Sequence, residues 1–275
     1  MQDFTLDKQS KYLDISLNTF QRIVWILRIS VACCFIGHGM WGLVSKPGWL
    51  PFFGIIGLDE DLSIQAMPFI GAIDIIVGIL ILFSSNKWLI YWAIFWTFFT
   101  ALLRPLAAMG FSEFLERAGN FGPPIALLIC VNMVNQGANK DSAKLKDGYI
   151  LIEKVLRFSL FLLLAGHAGL AIIQFQPTLI KNLNFIGYPT DSVGMYLFGA
   201  FELVLAALVL FRPGLMGLMF FVLVFKLITE SIYPLRGIPY DIFETIERMG
   251  DYLIPLCLYL IYKRTDTFNK QAAVK

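Results

Sequence analysis

The stretch LRISVACCFIGHG, residues 27–39, has a second version in LRFSLFLLLAGHA, residues 156–168. Both are apolar apart from an arginine near the start and a glycine–histidine pair near the end. His38 and His167 are the only histidines in the 275 residues. A histidine inside a long apolar helix is costly in a membrane and is by default a functional-site hypothesis. The pattern therefore predicts one membrane unit, with one polar site, that occurs twice.

The correspondence continues along both halves of the chain. After its histidine, each half has a glycine followed three positions later by an acid, then a proline, then a Glu-x-x-Glu-Arg segment. Chance is a poor explanation for so many matches in one order, and the sequence therefore predicts a tandem duplication. The matched residues are Ser30 and Ser159, Gly57 and Gly187, Gly71 and Gly199, Asp74 and Glu202, Pro105 and Pro234, Glu116-Arg117 and Glu247-Arg248, and Asn120 and Asp251.

The composition is that of a polytopic membrane protein. Hydrophobic residues make up 57% of the chain and charged residues 15%, with a mean hydropathy of +0.69, which is too apolar for a soluble protein of this length. The net charge of +2 includes no basic block, so we expect no nucleic-acid partner. The four cysteines form no C-x-x-C pair, and we therefore expect no metal site and no dithiol redox pair.

Eight apolar stretches approach the ~20 residues that a helix needs to cross the bilayer. Lipid leaves no backbone group unpaired, so each should be a helix. With four spans in each half, both halves have the same orientation, as in a parallel repeat. We therefore predict an all-α membrane protein of two four-helix bundles. The predicted spans are about 22–44, 67–84, 88–108, 121–137, 153–174, 193–211, 214–235 and 251–263.

Lysine and arginine are concentrated in the segments on one side of these spans, which places both termini in the cytoplasm. The chain start lacks the features of a cleaved signal peptide, so we expect the first span to act as the insertion signal. The predicted location is a bacterial-type inner (plasma) membrane, with the lipid bilayer as partner. The predicted segments are an N-terminal segment 1–21, a first unit 22–137, a linker 138–152, a second unit 153–264 and a tail 265–275.

The repeated pattern resembles the DoxX-like family of four-helix membrane proteins. It consists of L-R-x-S and G-H in the first span, a glycine that ends the next loop, and G-x-x-D or G-x-x-E in the second span. The resemblance covers nearly the whole chain except the termini and the linker. Members of the family are usually single units, so the tandem form is a departure. Some are linked to quinone-dependent oxidation of sulfur compounds, and the resemblance implies a quinone-linked redox subunit with a membrane or redox partner protein.

The polar residues of each unit are predicted to gather in the outer half of its bundle. Gly71, Asp74 and Gly78 share one helix face, and because small residues let helices approach, that face should point into the bundle. Asp74 should then bond to His38 or Arg104. The candidate residues for ligand binding or proton handling are His38, Asp74, Arg104, Glu116, Arg117 and Asn120 in the first unit, and His167, Glu202, Lys226, Glu230, Glu247, Arg248 and Asp251 in the second.

The second unit carries two additional ionisable groups and is predicted to be the better candidate for chemistry or ion movement. Lys226 and Glu230 are four residues apart, and two such groups at membrane depth should bond to each other. Their counterparts in the first unit are the neutral Thr97 and Ala101.

Two further expectations concern charged residues near the helix ends. The Asp241-x-x-Glu244 segment predicts a capping box that opens a short interfacial helix, with Ser112 as the corresponding cap in the first unit. That helix is either solvated or a lid whose arginine binds a head group. Arg28 and Arg157, near the inner surface, should extend to lipid phosphates.

Several functions remain open at this level. The first is the quinone-linked redox subunit, and the second is a transporter or binding scaffold for a small or lipid-like solute. The third is a non-catalytic membrane partner that assembles or anchors another protein. A haem held between His38 and His167 is a weaker alternative, because each histidine belongs to its own repeated set of acids and arginines. The sequence identifies no substrate and no catalytic residue.

Overall fold

The computed structural model describes residues 2–138 and 141–273, with the side chains of 17–138, 141 and 143–266. Within these ranges the chain forms helices joined by short turns. The first half contains α1 (Gln2–Leu43), a 3-10 turn (Pro47–Trp49), α2 (Leu50–Ile55), α3 (Glu60–Phe83), α4 (Lys87–Leu106), α5 (Phe111–Glu116) and α6 (Ala118–Asn135). The second half contains α7 (Ser142–Ile172), α8 (Pro177–Phe185), α9 (Ser192–Phe211), α10 (Met216–Leu235), α11 (Ile242–Glu247) and α12 (Met249–Ala273).

The helices identify an all-helical membrane protein. Six of them, α1, α3, α4, α7, α9 and α10, are long and apolar enough to cross a bilayer. Large apolar side chains cover their outer faces: Phe69 of α3 is 73% exposed, and Phe95, Val204 and Ile228 are exposed on α4, α9 and α10. In water such a surface would be unfavourable, whereas lipid solvates it.

The polar ends of three helices extend beyond the predicted boundaries. Helix α1 begins at Gln2, so most of the N-terminal segment 1–21 is helical. Helix α7 begins at Ser142 and takes up most of the predicted linker 138–152, and α12 continues to Ala273 through the predicted tail. Hydropathy marks where a helix leaves lipid, but the polar residues that follow can continue the same helix in water.

Each half packs its helices in the same pattern. In the first half α3 packs on α1 and α4 packs on α6, and in the second half α9 packs on α7 and α10 on α12. Glycines allow the first of these contacts, because a Cβ at Gly71 would lie 2.8 Å from the backbone nitrogen of Leu43. Gly71, Asp74 and Gly78 are buried, so the predicted direction of that face is confirmed.

Consecutive helices joined by tight turns pack less closely than expected. The sequence predicts α3 and α4 as neighbours, but beyond the turn they touch each other little, and α9 and α10 behave alike. The reason is that α3 packs against α1, whereas α4 packs against α6. A cavity lies between α4 and the segment 49–56, with Ile70 of α3 beside them.

The two halves meet along their central helices. Helix α6 runs antiparallel to α7, with Gly122 opposite Ser159 and Met133 opposite Gly148. The short helix of each half packs on the first helix of the other: α5 lies on α7, and α11 lies on α1.

Arg28 and Arg157 bond to the ends of neighbouring helices. Arg28 donates to the carbonyl oxygens of Ile81, Leu82 and Ser84 at 2.9–3.0 Å, and Arg157 donates to the carbonyl of Leu210 at 2.9 Å. These carbonyls belong to the last turns of α3 and α9 or directly follow them, where the helix supplies no donors. Arg28 is buried, so its predicted phosphate contact is wrong, whereas for Arg157, whose side chain is 20% exposed, that contact stays a prediction. The sequence alone could not show that each arginine bonds to backbone carbonyls more than fifty residues away.

Candidate functional site

Of the two cavities that a histidine lines, the larger lies in the first half. It has a volume of about 120 Å³ and is bounded by α1, α3, α4 and the loop helix α2. Exposed Ile56 lies where this cavity meets the surface. Five aromatic side chains line it, Trp49, Phe52, Phe53, Trp96 and Phe99, and its polar lining consists of His38, Thr97, Thr100, Arg104, Arg117, Asn120 and Glu247.

His38 is held in a fixed orientation at the edge of this cavity. Its Nδ1 lies 2.7 Å from Oδ2 of Asp74, which is 1% exposed. The ring also stacks on Trp49, with 4.3 Å between the ring centroids. Because Nδ1 is engaged, Nε2 is the nitrogen that can meet a ligand. The expected pairing of Asp74 with His38 is confirmed, whereas Arg104 pairs with Glu113 at 3.2 Å.

The second half has a smaller and more polar cavity of about 50 Å³. Lys226, 1% exposed, lies inside it. Its Nζ is 3.1 Å from Nε2 of His167, 3.2 Å from Glu230 and 3.7 Å from Asp251. The predicted Lys226–Glu230 pair is confirmed, but the lysine also contacts the histidine. Glu202 lines the same cavity, and its Oε2 has no hydrogen-bond partner among the described residues.

His167, Glu230 and Asp251 bring three potential metal ligands within 4.8 Å of one another. The ammonium of Lys226 lies among them at 3.1–3.7 Å. A divalent cation at the same place would meet that positive charge at close range. The chain therefore supplies the counter-charge for these acids with its own lysine.

A network of buried ion pairs joins the two halves between the cavities. Arg117 lies 2.9 Å from Glu116 and 2.6 Å from Glu247 of the other half. Arg248 pairs closely with Glu244 and lies 3.7 Å from Glu230. Three of these acids lie on α5 and α11, and the two arginines directly follow these helices. The charged ends of α5 and α11 are therefore buried at this junction, and the alternative of a solvated interfacial helix is wrong.

The predicted caps of these short helices are also wrong. Asp241 precedes α11 but its side chain makes no cap bond and pairs with Arg236 instead, while Glu244 pairs with Lys46 and Arg248. Ser112 lies inside α5, whose N-cap is Gly110. Ion pairs with guanidinium and ammonium groups compete successfully here with the weaker bonds of a capping box.

The electrostatics keep this network ionised. Burial alone would raise the pKa of Glu116, but Arg117, Arg248 and His167 outweigh burial and lower the pKa to about 2. Burial also raises the pKa of Glu244. The positive charges of Arg248 and Lys46 outweigh burial and hold that pKa well below its ordinary value. For Arg117, burial lowers the pKa, but Glu116 and Glu247 raise it above the usual range.

Both cavities border a common vestibule of about 630 Å³ between the halves. It shares Trp49, Phe52, Arg104 and Arg117 with the first cavity. It shares Glu113, Gln176, Tyr233 and Arg248 with the second. The two histidines line different cavities, which fits two sites better than one group held between both rings.

The structure brings the predicted residues together but divides them differently from the two units of the sequence. Glu247 of the second half lines the first cavity, and Glu116 of the first half lines the second. The sequence favoured the second unit, whereas the larger cavity belongs to the first. The aromatic lining was not predicted, because 25 phenylalanines and six tryptophans in an apolar chain give no local signal.

The glycine before each histidine explains why a glutamate of one half lies at the cavity of the other half. Gly37 and Gly166 directly precede them, and a Cβ at either glycine would lie 2.7 Å from the Cα of Glu247 or Glu116. The C-terminal glutamate of each short helix thus packs against the Gly-His pair of the other half.

Comparison with protein-family models, with curated proteins and with solved structures finds no significant match to this chain. The DoxX-like resemblance therefore stays a prediction from the residues that carry it. The geometry of the two cavities is what bears on function.

Proposed function

We propose that this chain is a tandem DoxX-like membrane protein whose first cavity binds the ring of a small amphipathic molecule of the quinone class. In this proposal the chain has eight spans in two parallel four-helix units, with α6 and α12 as the fourth span of each. The 18 residues of α6 have a length of about 27 Å, close to the hydrocarbon thickness of about 30 Å. Its antiparallel packing on α7 along much of its length supports the same reading.

The observation that carries the proposal is an aromatic cavity with one oriented histidine. A cavity of about 150 Å³ is known to hold benzene, so the volume of about 120 Å³ here suits a single ring. Trp49, Trp96 and Phe99 offer faces and edges for a planar ring. The opening at exposed Ile56 gives an apolar tail a route out of the cavity.

The polar residues suit the carbonyl oxygens of such a ring. When bound, a quinone supplies two-electron chemistry coupled to protons. Asp74 holds Nδ1 of His38, which leaves Nε2 to donate or accept a hydrogen bond at a ligand oxygen. Arg104, which lines the cavity, adds a positive charge near that oxygen. Electrons would come from a membrane or redox partner protein, as the resemblance implies.

Fluorescence titration of the purified protein with a short-chain benzoquinone tests this proposal. Binding should quench Trp49 and Trp96, which line the cavity. His38→Asn keeps a nitrogen near the position of Nδ1 for Asp74 but removes Nε2. It should weaken binding about tenfold, the loss of one hydrogen bond of about 1.4 kcal/mol.

The matched control is His167→Asn, which changes the corresponding histidine in the second cavity and should leave this titration within about twofold of wild type. Retained melting temperature in detergent shows that each variant is folded. If the wild type shows no saturable quenching, or if both variants weaken binding equally, the proposal fails.

Transport of a lipid-like solute is a second candidate, and the shared vestibule favours it, because both cavities border one space between the halves. Proteoliposomes loaded with the benzoquinone distinguish the two functions. A transporter should speed its movement across the membrane, whereas a binding subunit should leave the rate at that of protein-free vesicles.

A further inference from the structure

Several residues of the two cavities occupy corresponding positions in the two halves. His38 and His167 each line one cavity, and of the matched acids Asp74 bonds to His38 and Glu202 lines the second cavity. Further corresponding residues lie at the same spacing on α4, which lines the first cavity, and on α10, which lines the second. The pairs on these helices are Thr97 and Lys226, Thr100 and Thr229, Ala101 and Glu230, and Arg104 and Tyr233.

Two of these differences account for the different volumes of the two cavities. Where the first half has Thr97 and Ala101, the second has Lys226 and Glu230, whose side chains are 1% and 3% exposed. The corresponding volumes are about 120 Å³ and about 50 Å³. The longer side chains therefore fill space that remains open in the first half.

The tip of Lys226 has a specific position. Its Nζ lies 3.1 Å from Nε2 of His167, the same ring nitrogen that is left for a ligand on His38. Lysine combines an apolar stem with a polar tip, which are also the features of an amphipathic ligand. A lysine and a glutamate buried at membrane depth are costly, and the first half folds around the same histidine without them.

We propose that the second cavity is a ligand site that the chain closes with its own Lys226, so that each chain binds one ligand. This inference rests on the proposed function of the first cavity. Lys226, held by Glu230, occupies the place that the ligand takes in the first half. Replacing both residues by their counterparts, Lys226→Thr with Glu230→Ala, removes one positive and one negative charge and should reopen the second site.

Thiol labelling tests closure without any ligand. In a background with the four native cysteines changed to alanine, Thr100→Cys and Thr229→Cys report on the first and second cavity. A small methanethiosulfonate reagent should label Cys at 100 at least tenfold faster than at 229. The Lys226→Thr, Glu230→Ala pair should bring the rate at 229 close to that at 100. An unchanged rate at 229 in folded protein overturns the closure.

The number of bound ligands tests the second part of the proposal. In equilibrium dialysis with the short-chain benzoquinone, the wild type should bind one equivalent and the Lys226→Thr, Glu230→Ala variant two. The reciprocal variant Thr97→Lys with Ala101→Glu should bind none and protect a cysteine at 100. Tryptophan quenching reports the first cavity alone, because Trp49 and Trp96 line it and the second cavity has no tryptophan among its lining residues.

The outcomes separate this inference from the proposed function. If the wild type binds one equivalent and the reopened variant also binds one, the second cavity is not a ligand site and the inference is overturned. If the wild type binds none, the proposed function fails, and the labelling rates still decide whether Lys226 closes the second cavity.

Discussion

Arg117 and Glu116 show how a few buried charges join the two halves. The Glu116 side chain is 3% exposed and contacts Arg117 of its own half and His167 of the other, at 2.9 Å and 3.5 Å. Arg117 in turn reaches Glu247 at 2.6 Å. Removing one partner of such a network leaves a buried charge without compensation, which costs about 3–5 kcal/mol. The network therefore makes the junction sensitive to protonation.

The pKa of Glu116 predicts the direction of the pH dependence. In the unfolded chain this carboxyl has an ordinary pKa of 4.5, and in the folded protein the pKa is lowered to about 2. A lowered pKa stabilises the fold above pH 4.5, and that stabilisation, about 3 kcal/mol, is lost as the pH falls from 4.5 through 2. Glu116→Gln should therefore lower the melting temperature in detergent at pH 7 and reduce its fall between pH 7 and pH 3.

Glu60→Gln is the matched control, since Glu60 is an exposed glutamate at the start of α3. It should retain the fall seen in wild type. An equal fall in wild type and Glu116→Gln would mean that Glu116 is not ionised at the junction.

The polar residues in and around the two cavities can be picked out from the sequence, for a physical reason. Ionisable side chains are rare within membrane spans, so His38, Asp74, His167, Lys226 and Glu230 stand out against an apolar background. The contact between Glu247 and Arg117 could not be predicted, because nothing in the chain signals that the short helices cross between halves. Aromatic wall residues give no signal either.

The glycine before each histidine determines how closely the short helices approach. Gly166 lies on α7 against α5, and Gly37 lies on α1 against α11. We expect Gly166→Ala to overpack this contact and lower the unfolding free energy by about 1–3 kcal/mol. Unfolding in mixed micelles measures the change. The Arg117 network should loosen at the same time.

Gly217→Ala is the matched control on a helix. Gly217 is exposed on α10, and a Cβ there meets nothing within 4 Å. It should be neutral or stabilising by up to about 1 kcal/mol, because alanine has the higher helix propensity. If Gly166→Ala behaves like Gly217→Ala, the close approach of α5 is not required.

Helix ends were predicted within a few residues where hydropathy changes sharply, as at 192–211 and 216–235. The loop helices α2 and α8 were not predicted, since six or nine residues are too few for a periodic pattern. Short helices of this kind depend on the surfaces they cover, which only the assembled bundle provides.

The arrangement of the two halves bears on the number of spans. Lys46, just after α1, pairs with Glu244, and Gln174, just after α7, donates to the carbonyl of Met109. The last residues of α1 and α7 therefore lie at the same end of the molecule as the junction. Two first helices that run in the same direction fit four spans per half. With three spans per half, the second half would be inverted in the membrane.

Cysteine accessibility therefore distinguishes eight spans from six. With eight, a cysteine at Lys144, near the start of α7, should lie on one side of the membrane, and cysteines at Lys181 and Gly48, in the loops after α7 and α1, on the other. With six, Lys144 would share the side of Gly48, and Lys181 would lie opposite. A membrane-impermeant maleimide added to intact cells should label the cysteines at 48 and 181 but not at 144 until the cells are lysed. Labelling at 144 together with 48 would contradict the parallel arrangement, because the contacts of Lys46 and Gln174 at one junction require α1 and α7 to cross the bilayer in the same direction.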